Sequence, residues 1–172
     1  MTWSLVKGEL QHLDRAGLVG LLKDLHALAP ENRAFLAARF GLGPDPLAPY
    51  KSSISRWICP DVPGGQDISV KKAKKAMSEY RKAIGQPEGL AELSIHYCEE
   101  AARLLSECGM EDEAYFSALV RMYDQALSKV IDLAPIEREP MLKRLNVVRE
   151  ALDGTGWGVD DAIRDIWYEY VG

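Results

Sequence analysis

His96 and Glu100 stand four residues apart in a stretch of helical composition, which would put an imidazole and a carboxylate on one helical face. Such a pair could offer two ligands to a metal ion. Closed and catalytic zinc sites take three or four protein ligands, and the sequence identifies no further partner. Glu99 and Arg103 have ion-pair spacing on the same surface, so a solvated, salt-bridged face is the simpler reading. The remaining imidazoles are His12 and His26, and His26 sits at the edge of a leucine-rich stripe. Cys59, Cys98 and Cys108 are odd in number, widely spaced and without a metal-type pair, as expected of reduced thiols in a cytoplasmic protein. A catalytic thiol needs a base or an electropositive setting, and Glu99, Glu100 and Glu107 make this neighbourhood acidic. The glycines of GLGPDP (41–46) and GTGWG (154–158) lack the strand, helix and Lys-Ser/Thr context of a phosphate-binding loop, so they are turns. There is no nucleophile elbow, no His-Glu-x-x-His and no acidic calcium loop. No catalytic residue, metal ligand or cofactor is assigned.

One cluster rises above this background. On a helix predicted over 70–84, Val70, Ala73, Met77, Tyr80 and Ile84 alternate in threes and fours as an apolar stripe. Lys71, Lys72, Lys74, Lys75, Arg81 and Lys82 lie off that stripe. Six cations on one helix with a single Glu make a field able to attract phosphates or an acidic protein. Lys51, Arg56 and Trp57 on the preceding helix could extend it. The plainer reading is a solvated face neutralised by the rest of the chain, because residues 85–172 carry eighteen acidic and eight basic side chains whereas 49–84 carry eight basic and three acidic. Three features weigh against nucleic acid. The chain is acidic overall, at net charge −5. Four lysines in five positions suit phosphate contact and not base reading. No aromatic-rich stacking motif accompanies them.

The elements that must position these residues are helices. Asp14 can cap a helix whose stripe is Leu18, Leu21, Leu22, Leu25 and Leu28. Pro30 fits the first position of the next, which carries Phe35, Leu36 and Phe40. Residues 41–49 read as a breaker segment and 60–67 as a second loop. Between them, Tyr50, Ile54, Trp57 and Ile58 fall on one side of a short helix, and Ser69 can cap the basic one. Two long helices follow, with Leu93, Tyr97, Ala101 and Leu104 in the first and Leu119, Tyr123, Leu127 and Val130 in the second. Pro135 stops the second, another helix reaches about Leu152, and a last one carries Val159, Ile163, Ile166, Trp167 and Tyr170. No segment alternates with period two between hairpin turns. Tetratricopeptide spacing fails, since nine positions separate Ala126 from Pro135 and no 34-residue period recurs.

The runs LLKDLHALAPENRAFLAARF (21–40), KKAKKAMSEYRKA (71–83), PEGLAEL (87–93) and GMEDEAYFSAL (109–119) resemble a family of small prokaryotic proteins classed only as a domain of unknown function, over about residues 12–134. The resemblance implies a helical fold and carries no activity or site residue with it.

With 172 residues, 47% hydrophobic and 27% charged, the chain suits one ordinary globular domain. No apolar run reaches membrane-spanning length, and the first ten residues lack the apolar core of a signal peptide. The expected architecture is all-α: about seven or eight helices, as antiparallel hairpins stacked in a bundle or short superhelix. It would form a single domain over 1–172, divisible into sub-bundles 1–84 and 85–172, with Leu22, Phe35, Leu93, Tyr97, Leu119 and Tyr123 in one core. The expected role is a non-enzymatic helical adaptor for a protein partner or for self-association, in the cytoplasm and without a membrane. The alternative is a polyanion-binding protein, for RNA or DNA, working through helix 70–84.

Overall fold

The computed structural model describes residues 2–172. The chain is all-α, with nine helices and no strand among the described residues, against the seven or eight expected. They are α1 (Trp3–Leu10), α2 (Arg15–Leu28), α3 (Pro30–Phe40), α4 (Ala48–Ile58), α5 (Val70–Ala83), α6 (Pro87–Glu107), α7 (Glu113–Ile131), α8 (Pro135–Ala151) and α9 (Val159–Val171). The breaker segment is shorter than its composition suggested. Pro49 lies in the first turn of α4, where a missing amide proton is harmless.

Two compact units share the chain, one up to Pro46 and one from Leu47 onward. The division falls at 46/47 and not at 84/85, because α5 packs against both α4 and α6.

In the first unit, the Asp14 carboxylate accepts from the Gly17 amide at 2.7 Å and caps α2 as its sequence indicated. Helices α2 and α3 pack as a hairpin. The Asn32 side-chain amide donates to the Leu25 carbonyl at 2.6 Å, satisfying one of the orphan acceptors at the end of α2. Gly41, at φ 61°, ends α3 in a Schellman turn: the Leu42 amide donates to the Ala37 carbonyl at 2.8 Å, and Gly41 to Ala38 at 3.2 Å. Among the described residues of this unit only Ala38 is buried. Leu22 and Phe35, expected in the core, are 47% and 43% exposed. Three short helices enclose too little volume to cover their own stripes.

The second unit is built around α6, which contacts α4, α5, α7 and α8. Its buried residues run almost all round it, including Leu93, Ser94, Ile95, Tyr97, Cys98 and Ala101. A helix with so wide an apolar face belongs at the centre of a bundle. Ser94 is tolerated there because its hydroxyl donates to the Leu90 carbonyl one turn back, at 2.8 Å. Helix α7 covers one side with Tyr115, Leu119, Tyr123 and Leu127. Two of its tyrosines also answer backbone acceptors: Tyr115 donates to the Ile58 carbonyl at 2.9 Å and Tyr123 to Leu145 at 3.1 Å. Helix α9 is anchored by buried Val159 and Ile163, with Trp167 half-buried and the Tyr170 hydroxyl 3.0 Å from Asp124 Oδ1. Four of the six residues expected in the core are therefore inside, all in this unit.

Helix α5 is seated by a contact that only glycine permits. Tyr80 is 2% exposed and meets Tyr50 of α4 edge-on, with ring centroids 5.3 Å apart. On α6, the missing side chain of Gly89 leaves room for the Tyr80 phenol, and a Cβ there would stand 1.9 Å from its oxygen. Elsewhere in a helix, Gly→Ala gains up to about 1 kcal/mol. Here overpacking, at about 1–3 kcal/mol, opposes the gain and should win, because the ring is wedged between α4 and α6. Gly89→Ala should thus lower the midpoint of chemical denaturation. An unchanged or raised midpoint would mean that the Tyr80 ring moves aside freely.

Candidate basic interface

The stripe that holds α5 is Ala73, Ala76, Tyr80 and Ala83, all buried, whereas Val70, Met77 and Ile84 are only half-buried. Three of the four are alanines, which brings the backbone of α5 close to its neighbours and turns the lysines outward. Ser69 caps the helix as expected, its hydroxyl accepting from the Lys72 amide at 3.4 Å. Lys71, Lys72, Lys75, Arg81 and Lys82 are exposed, and Lys74 is half-buried. Lys75 pairs with Glu79 at 3.5 Å, a surface contact between two well-exposed side chains. Lys71, Lys72, Lys74, Arg81 and Lys82 form no ion pair among the described residues.

Trp57 of α4 joins this face. It was expected beside Tyr50, Ile54 and Ile58, and those three are buried. The Trp57 ring instead is half-exposed, with the Lys72 ammonium 3.7 Å and the Arg56 guanidinium 4.4 Å from its centroid. Helix spacing explains the difference, since Trp57 falls just outside the arc of Tyr50, Ile54 and Ile58, on the Tyr50 side. One further cation, on α7, feels this face electrostatically. The Lys129 ammonium is held below the usual lysine range by burial first and by the Arg81 guanidinium second, against the opposing pull of Cys98 and Asp124. Sequence spacing could not reveal Lys129, because 47 or more residues separate it from every cation on α5.

Lys51 belongs elsewhere. Its ammonium lies 2.9 Å from Glu92 Oε1 on α6, and the other oxygen of Glu92 accepts from Arg144 Nη1 at 2.5 Å. Arg144 also forks onto Glu99 at 2.7 and 2.8 Å. Lys51, Glu92, Arg144 and Glu99 thus bind α4, α6 and α8 together. Burial disfavours the Glu92 carboxylate, but the hydrogen bonds from Arg144 and Lys51 outweigh it and hold the group below the usual carboxylate range. A depressed folded-state value adds stability above the unfolded value, and that stability is lost as pH falls through the folded one. Glu92→Gln should therefore cost about 1.5–3 kcal/mol at pH 7, the range for hydrogen bonds to a charged group. It should cost progressively less below about pH 4, where the unfolded chain's Glu92 takes up its proton, and least once pH has passed the depressed value of the folded carboxyl. Equal losses at pH 7 and pH 3 in urea titrations would show that the ion network contributes nothing.

His96 and Glu100 also have other engagements. His96 Nε2 lies 2.8 Å from Ser55 Oγ and 3.2 Å from the Lys51 carbonyl, tying α6 to α4. Glu100 accepts from Arg103 at 2.7 Å, and Arg103 also reaches Glu107, so the partner of Glu99 is Arg144 and not the expected Arg103. Cys98 is fully enclosed, and burial pushes its thiol up, away from the thiolate. Among the described residues no group of three or more His, Cys, Asp or Glu side chains is placed to hold a metal ion. No described helix is long and apolar enough to cross a membrane. No protein-family model, curated protein or solved structure matches this chain.

Proposed function

We propose that the protein is a non-enzymatic helical interaction module that docks a polyanion of the nucleic-acid type on the exposed face of α5. The observation that carries this reading is the set of five unpaired cations, Lys71, Lys72, Lys74, Arg81 and Lys82, on one helix. Neutralisation by the acidic half of the chain would leave them engaged. The α6 carboxylates Glu92, Glu99, Glu100 and Glu107 are instead taken by Lys51, Arg103 and Arg144. Lys71 and Lys82 are eleven residues apart, about 16 Å along the helix axis, so several phosphates of one backbone could be met at once. The Trp57 ring is already covered by Lys72 and Arg56, which favours phosphate contact over base stacking. The test is titration of labelled duplex DNA and single-stranded RNA at two salt concentrations. Saturable binding that weakens steeply with salt supports the reading, and no binding to either at low salt rejects it.

A second reading, an adaptor for a protein partner or for self-association, draws on the first unit. There Leu18, Leu21, Leu22, Leu25 and Leu28 of α2 remain 39–77% exposed, as do Phe35 and Phe40 of α3 at 43% and 66%. Contiguous apolar surface of this kind marks interaction faces. Light scattering across a hundredfold range of concentration tests the self-association form: a mass fixed at the monomer value removes it.

A further inference from the structure

We infer a small-molecule site in the second unit, between α7 and the loop that precedes α9, that takes a planar aromatic monocarboxylate. A cavity of about 470 Å³ lies there, within the usual range for ligand pockets. Its apolar lining comes from Phe116, Val120, Val159 and Trp157, and Arg121 and Glu113 supply its charges.

Two observations set this cavity apart from a surface dimple. The first is Trp157. It is the only non-glycine with positive φ among the described residues, at 55°, and it stands between Gly156 at 78° and Gly158 at 71°. A side chain in the left-handed region costs roughly 1–2 kcal/mol that glycine would avoid. Burial does not offset this cost, since Trp157 is 68% exposed. Its ring centroid is 6.3 Å from that of Phe116, at a tilt of 33°. The loop therefore holds a largely exposed indole at the rim of the cavity, over a buried aromatic floor. Strained, exposed aromatic groups of this kind are retained where they meet a ligand.

The second observation is Arg121. Its guanidinium is exposed and forms no hydrogen bond or ion pair among the described residues. A free guanidinium beside an aromatic cleft is the fork that receives a carboxylate through two parallel hydrogen bonds. Glu113 stands eight residues earlier on α7, about 12 Å along the axis, and so disfavours a second negative charge at the far end. An aromatic plane laid in the cleft against the Phe116 and Trp157 rings, with one carboxylate on Arg121, meets all of these groups. This inference is independent of the basic face of α5.

Titration of the full chain with 2-naphthoate and with its neutral analogue 2-naphthamide, followed by ligand-observed NMR, tests the site. Naphthoate should bind saturably, at least about tenfold more tightly than the amide, as a hydrogen bond to a charged group requires. Arg121→Met should remove that preference and leave amide binding unchanged. Trp157→Gly should weaken both ligands while the melting temperature holds or rises, because glycine accepts the left-handed backbone. The inference is overturned if naphthoate shows no saturable binding at millimolar concentration, or if Arg121→Met leaves its affinity unchanged. Unchanged affinity for both ligands in a folded Trp157→Gly protein would equally overturn it.

Discussion

Changing Lys71, Lys74, Lys75 and Lys82 together to Gln should abolish most of the affinity for nucleic acid while leaving the fold intact. The fold is spared because α5 is held by Ala73, Ala76, Tyr80 and Ala83, none of which changes. Only Lys75 of the four has an ion pair, and exposed pairs of this type contribute about 0–1 kcal/mol. Affinity is where the effect concentrates. If these four side chains neutralise four phosphates of a duplex, the log–log salt slope carries about −3.6 from them, at roughly −0.9 each. Wild-type binding should then fall roughly 10²-fold between 50 and 200 mM salt. The variant should bind weakly at both concentrations, with a slope shallower by about 3.6, what remains coming from Lys72 and Arg81. Fluorescence anisotropy with labelled duplex reads both quantities. A variant that keeps the wild-type slope would place the docking face elsewhere, and its thermal melt shows whether the fold survived.

Leu119→Ala should be the most damaging single truncation considered for this fold, at about 2–5 kcal/mol. Leu119 is 0% exposed, on the face of α7 that packs against central α6. Its loss removes the transfer energy of the deleted atoms and leaves a cavity between helices that cannot collapse onto one another. Leu22→Ala, at a position 47% exposed in the first unit, should cost much less, under about 1 kcal/mol. Urea denaturation followed by circular dichroism reads both midpoints. Similar losses at the two positions would mean that Leu22 is covered in solution, as the adaptor reading expects of a self-associated form.

Helix positions were largely legible because their signals are local. Asp14 and Ser69 are caps by residue type and cap their helices in space. Pro30 marks a helix start and occupies the first turn of α3, whereas Pro135, expected to stop a helix, also opens the next one in the first turn of α8. A 3.6-residue period is likewise written within each segment, so the stripes of α6 and α7 could be read directly. Leu22 and Phe35 show where that reasoning stops. Periodicity says which face of a helix is apolar, but burial needs enough neighbours to close over it, and three short helices do not provide them.

The basic face illustrates the same division at a functional scale. By itself the sequence determined the chemistry: six cations on one helix, the stripe-like alternation behind them, and the absence of catalytic motifs. The first two follow from residue types at fixed helical spacing, the third from residue types alone. Only the tertiary structure decided which charges stay available. Lys51 has the same side chain as Lys71, yet it is drawn into the Glu92–Arg144 network because α4 packs on α6. Trp57 is turned beneath Lys72 and Arg56, and Lys129, on a helix far along the chain, feels the Arg81 charge. The Gly89–Tyr80 contact, the left-handed Trp157 and the open Arg121 likewise depend on which helices meet. A charge or a ring acquires its role from the groups within a few ångströms of it, and packing, not order along the chain, sets those distances.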